Sequence, residues 1–157
     1  MNKITISHDI LLLQYNELSS QDKALVDAAK DATQLSYSPY SNFAVGAAIL
    51  LEDGTVVKGC NQENGAYGNS ICAERTAIFT AQCQHKGKKM LTIAIAAYTD
   101  GDFTHNPITP CGACRQTIVE VEACQQEKVR LLLYGIDGTY VIEDGIDVLM
   151  PLKFELD

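Results

Sequence analysis

Leu91-Thr92-Ile93-Ala94-Ile95-Ala96-Ala97-Tyr98 is the stretch on which the fold class turns. It contains neither glycine nor proline, and its apolar residues do not alternate with polar ones. A strand that is apolar on both sides must be covered on both faces, as an inner strand between helical layers is. Val129–Tyr134 repeats the pattern, and a helix from Pro110 to about Ala123 lies between the two. Upstream, Ala73, Ala77, Ile78 and Ala81 share one face of a helix running to about His85. Lys86, Lys88 and Lys89 follow, where cations complement a helix C-terminus.

An earlier helix opens at Ser19-Ser20-Gln21-Asp22, with a hydroxyl cap and an acid in the first turn. Leu25, Ala28, Ala29, Ala32 and Leu35 continue it, and Pro39 biases Ser38 away from helical angles. Phe43–Leu51 and Val56–Gly59 flank Glu52-Asp53-Gly54-Thr55 as a hairpin, and Asp137-Gly138 leads into Thr139–Ile142. Ile4 and Ile6, then Leu11, Leu13 and Tyr15, alternate with other residues and predict two short N-terminal strands. The order predicts an α/β three-layer sandwich: a mixed five-stranded sheet, helices on both faces and a short N-terminal β extension. Without repeat or linker, residues 1–157 read as a single domain with its core at about 19–155. Segment 1–18 carries no functional signal.

Composition narrows the function classes. Of 157 residues, 46% are hydrophobic and 20% charged, close to globular averages. Twelve basic against twenty acidic residues leave a formal charge of −8, which disfavours phosphate backbones and anionic membranes. No apolar run approaches the roughly 20 residues of a membrane span. The polar start Met1-Asn2-Lys3 is unlike a secretory leader, so the expectation is a cytoplasmic protein. In that reducing setting six cysteines point to metal or catalysis rather than disulfides.

Three of the six stand in a pattern. Cys111-Gly112-Ala113-Cys114 follows Pro110, and Cys72-Ala73-Glu74 lies 39 residues upstream. Proline suits the opening of a helix, which puts Cys111 and Cys114 on one helix face. Cys72 opens the helix that ends near His85, so two helix starts present three thiols, each start favouring thiolate. Three protein ligands with a fourth position open are the arrangement of a catalytic zinc. Glu74, two residues past Cys72, is placed to hold a water and act as general acid/base. Arg75 reads either as a donor to the thiolates or as a surface arginine.

Ile71-Cys72-Ala73-Glu74-Arg75-Thr76-Ala77 and Thr109-Pro110-Cys111-Gly112-Ala113-Cys114-Arg115 together resemble the cytidine deaminase family in its small, three-cysteine, homotetrameric form. Ser38-Pro39-Tyr40-Ser41-Asn42-Phe43 through Ala48, and Asn61-Gln62-Glu63-Asn64, add to the resemblance, which covers about residues 20–155 in the family's order. It implies zinc-dependent hydrolysis of cytidine and deoxycytidine to the uridines and ammonia, as in pyrimidine salvage. One zinc per chain would sit on Cys72, Cys111 and Cys114, with Glu74 moving protons and Arg75 supporting the thiolates. Phe43 would pack on the nucleoside, and Asn61 and Glu63 would hydrogen-bond its sugar. Tyr67 and Phe154 would reach sites built at subunit interfaces of a homotetramer. The surroundings of Phe154, Leu149-Met150-Pro151-Leu152-Lys153, depart from the family's usual Leu-Leu-Pro ending.

Plainer readings stand beside these. Phe43 also fits a core residue leading a strand, and Asn61 and Glu63 fit a turn. Cys60, Cys83 and Cys124 have no motif and read as small core residues. A structural zinc module with Cys60 as fourth ligand leaves Glu74 without purpose, and a thiol oxidoreductase on Cys111 and Cys114 leaves Cys72 without one. Deaminases of other cyclic amidines, such as blasticidin, share the skeleton.

Overall fold

A computed structural model describes residues 1–155. Ser19 caps the first helix, α1 (Ser20–Ala32): its hydroxyl accepts the backbone N–H of Asp22 at 3.1 Å. A single 3₁₀ turn, Thr33–Leu35, ends it before Pro39 is reached. The predicted hairpin is β2 (Ala44–Leu51) and β3 (Val56–Cys60), with Gly54 at φ 85° in the turn. Helix α2 (Ala73–Gln84) leads to β4 (Met90–Thr99), and α3 (Gly112–Gln125) leads to β6 (Arg130–Gly135) and β7 (Gly138–Ile142).

Among the described residues the sheet has seven strands rather than the expected five, because two short pieces join it. The first, β1 (Leu11–Leu13), pairs antiparallel with β7, and β5 (Asp102–Phe103) pairs with the end of β4 in the polar stretch before Pro110. Both join through backbone hydrogen bonds, which need no side-chain pattern. The alternation at Ile4 and Ile6 makes no strand: residues 1–10 pair with no neighbour, and alternation alone yields nothing. The order is β1-β7-β6-β4-β2-β3, with only β4 and β6 parallel among neighbours.

Neighbouring residues point to opposite faces, and two cores follow. Ala48, Ala94, Ala96 and Leu132 face α1, with Leu25, Val26 and Ala29. Ile49, Ile93, Ile95, Leu131 and Leu133 face α2 and α3, against Ala77, Ile78 and Ile118. Each of the larger aliphatics is fully buried and contributes about 1.5–3 kcal/mol. Cys60, Cys83 and Cys124 are not core residues: Cys60 is half-buried and the other two are exposed on the outer sides of α2 and α3. A helix buries one stripe only, and neither Cys83 nor Cys124 falls on it.

Glycine lets each layer approach closely. A Cβ on Gly46 would meet the backbone of α1 at Ala29 and of the turn after it at Thr33, and one on Gly59 would meet Ala73 O at 2.7 Å and Ala77. Gly59→Ala therefore pushes α2, which follows Cys72, away from β3. We expect a loss of about 3 kcal/mol, the upper end for overpacking, and a melting temperature lower by about 6–12 °C. An unchanged melting temperature would refute this account of the packing.

Candidate active site

The topology brings the thiols together. Strands β3 and β4 both run antiparallel to β2, so they point the same way. Helices α2 and α3 follow them on the same face of the sheet, and both helix N-termini emerge at one end. Cys72 and Cys111 are the two N-cap residues, in extended conformation, and neither side chain caps its helix. Their sulfurs are 3.6 Å apart, Cys111 Sγ lies 3.5 Å from Cys114 Sγ, and all three fall within 4.8 Å of one another.

These spacings fit a metal. Thiolates at about 2.3 Å from a tetrahedral zinc lie about 3.8 Å from one another. No pair is at bonding distance, and all six cysteines are free. The neighbouring Cys114 thiol, joined by Arg75 and Cys111, brings the Cys72 thiol down to about 5. Cys114, buried beside that sulfur, is pushed up. Three sulfurs so close cannot all ionise unless a cation shares their charge. Cys60 is not a fourth ligand: its Sγ is 3.2 Å from Leu35 O, and the cluster among the described residues contains three thiols.

Arg75 Nη2 lies 3.6 Å from Cys72 Sγ. Glu74 is 4% exposed in the first turn of α2, and burial, joined by the Cys72 charge, raises its carboxyl to about 7. A carboxyl near neutrality can both take and return a proton.

A cavity of about 480 Å³ opens in front of this cluster, lined among others by Phe43, Asn61, Glu63, Cys72, Glu74 and Cys111. Cys114 closes the cluster from behind, fully buried. Asn61 is largely committed to the protein. Its Oδ1 accepts from Val45 N at 2.8 Å and Ser36 Oγ at 2.5 Å, and its Nδ2 donates to Phe43 O at 2.9 Å. One N–H is left for a ligand. Glu63 accepts from the Ser41 hydroxyl, from Tyr40 N at 2.9 Å and from Ser41 N at 3.2 Å. The Ser41 hydrogen bond holds its carboxyl below the usual carboxylate range. Ser36 and Ser41 were not legible as site residues, because a hydroxyl in a turn has no distinctive spacing.

Tyr67 and Phe154 are not gathered into this cavity. Tyr67, 76% exposed, stands beside Tyr40 on the rim near Glu63, with ring centroids 6.0 Å apart. Phe154, 66% exposed, lies in a separate depression with Gln116. Among the described residues no histidine joins a cluster able to hold a metal, and His105 lies 3.3 Å from Asp137 at the surface. Among the described residues no helix is long and apolar enough to cross a membrane.

Residues 19–129 match the family model described as the cytidine and deoxycytidylate deaminase zinc-binding region. A cytidine deaminase of Halalkalibacterium halodurans is 46% identical over 83% of this chain and 91% of its own length. One of Sporosarcina psychrophila is 48% identical over 61% of this chain and 66% of its own. The crystal structure of cytidine deaminase from Burkholderia pseudomallei, 41% identical, superposes with a TM-score of 0.71 over 83% of this chain and 97% of that one.

Proposed function

The chain belongs to the cytidine and deoxycytidylate deaminase zinc-binding family, and on that premise we propose that it catalyses the hydrolytic deamination of cytidine and deoxycytidine to the uridines and ammonia. The observation that carries the reading is Glu74, a buried carboxyl beside three clustered thiols at the floor of a cavity with a carboxylate and an amide at its mouth. Cys72, Cys111 and Cys114 hold one zinc, which, when bound, acidifies a water towards a pKa of about 7.

Glu74 performs the proton transfers. Its carboxylate takes one proton from the attacking water and returns it to N3 of the ring as the C4–O bond forms. It takes the second proton as the C4 carbonyl forms and delivers it to the exocyclic nitrogen, so that the C4–N4 bond breaks and ammonia leaves. Both protons of one water are thereby placed, one on N3 and one on ammonia. Arg75 offsets part of the negative charge of the thiolates.

Phe43 packs on the nucleoside, the remaining N–H of Asn61 donates to a sugar hydroxyl, and Glu63 accepts from one. The Ser41 hydrogen bond keeps Glu63 ionised, which suits a sugar diol and repels a 5′-phosphate. The test is loss of cytidine absorbance with and without a strong chelator. Zinc-dependent turnover supports the reading, and none on any cytosine nucleoside overturns it.

The working unit in this proposal is a homotetramer of cytoplasmic enzyme, since Tyr67 and Phe154, large aromatics left exposed on one chain, are then covered by neighbours at shared sites. Sedimentation should give about four times the 17.1 kDa chain mass. A monomer with full activity at nanomolar concentration would refute it.

A further inference from the structure

Arg115, half-buried in the first turn of α3, ties the cysteine loop to the C-terminal turn. Its Nε donates to Pro110 O at 2.8 Å and its Nη1 to Leu149 O at 2.9 Å. Pro110 O is one end of the peptide plane whose other end is the nitrogen of Cys111. Because that unit is rigid and planar, fixing the oxygen fixes the Cys111 nitrogen and Cα in space, and the Cys111 carbonyl, accepting from Arg115 N at 2.9 Å, limits the rotation about the bond between them. Cys111 is exposed, it is the N-cap, and its side chain caps nothing, so among the described residues its sulfur meets only the other two thiols of the cluster. The guanidinium fork presents N–H groups in fixed directions and so holds both carbonyls at once, which a lysine ammonium does not reproduce.

We infer that Arg115 is a positioning residue for the metal, bracing the Pro110–Cys111 peptide against the Leu149 turn and so fixing the seat of the Cys111 thiolate. The inference rests on the zinc reading above. Gln116 provides an internal control, because its Nε2 donates to Phe154 O at 2.9 Å and ties down the C-terminal segment without touching Pro110.

The experiment compares the full-length zinc-loaded protein with Arg115→Ala, Arg115→Lys and Gln116→Ala. Zinc release to a chromogenic chelator is followed, and the thiolate-to-metal charge-transfer band is recorded after cobalt substitution. Removing a partner that orients a ligand costs about 10- to 100-fold in metal affinity, so Arg115→Ala should release zinc faster by that order. Arg115→Lys should fall between it and the wild type, and in both the cobalt band should shift. Gln116→Ala should match the wild type in release and band. Wild-type release and an unshifted band in the Arg115 variants overturn the inference, as does equally fast release from Gln116→Ala, which would assign the effect to the loosened tail. If Arg115→Ala does not fold, Arg115→Lys carries the same two outcomes. A wild-type chain that takes up no zinc is a different failure and overturns the metal reading itself.

Discussion

Glu74→Gln is expected to leave a folded, zinc-loaded protein that binds cytidine and hardly turns it over. Glutamine keeps the shape of the side chain and its hydrogen bonding but cannot accept a proton and return it. General acid/base catalysis contributes about 10²- to 10⁴-fold, and here one carboxyl serves successive transfers, so the loss should reach about 10⁴-fold or more. Folding should not suffer. Burial works against the charged form of Glu74, as its shift to about 7 shows, and a neutral amide removes that cost. Zinc should remain at one per chain because Glu74 lies outside the thiol cluster. Nucleoside binding should persist because Glu63 and Asn61 are untouched. Metal content, equilibrium binding of cytidine and turnover check the three parts. Loss of zinc would make Glu74 a ligand, and retention of more than about a tenth of wild-type turnover would place the proton transfers elsewhere.

Cys114→Ala should abolish metal and activity together. Two thiols would remain, and solvent does not complete a tetrahedral site at comparable affinity. If the roughly 10–16 kcal/mol of a four-ligand zinc site is spread evenly, one thiolate is worth about 2.5–4 kcal/mol, or about 60- to 10³-fold in affinity. Cys72→Ala should behave alike, although Cys72 is half-buried and Cys114 fully buried. The agreement of the two would itself argue for a shared ligand role, since a packing defect would weigh on the buried position alone. Metal analysis and the cytidine assay decide: one equivalent of zinc with full activity in either variant would remove it from the ligand set.

Local chemistry explains what was legible beforehand. Ser19 caps α1 as its hydroxyl predicts, Gly54 takes the left-handed turn, and β4 and β6 are covered on both faces as their apolar runs require. In each case the determinant is a residue acting on its own neighbours. Where two segments must meet, the signal is absent. Leu11–Leu13 completes the sheet edge although Ile4 and Ile6 look equally suited, because the β7 backbone selects by position. Cys83 and Cys124 resemble core cysteines in composition, yet the helix phase turns them outward. Asn61 reads as a sugar ligand, and only the packed loop reveals that most of its amide is bound to Val45, Ser36 and Phe43.

From the amino acids alone came the layered α/β class, the helix starts, the three thiols with their neighbouring carboxyl, and hence the chemistry. These depend on residue type and short spacing, which the chain carries wherever it folds. Tertiary structure decided that thiols 39 residues apart meet at 3.6 Å, that burial holds Glu74 near neutrality, that Ser41 grips Glu63, and that Arg115 spans from Pro110 to Leu149. Each depends on distances across the fold or on the exclusion of water, and both arise only when the parallel course of β3 and β4 sets two helix N-termini side by side.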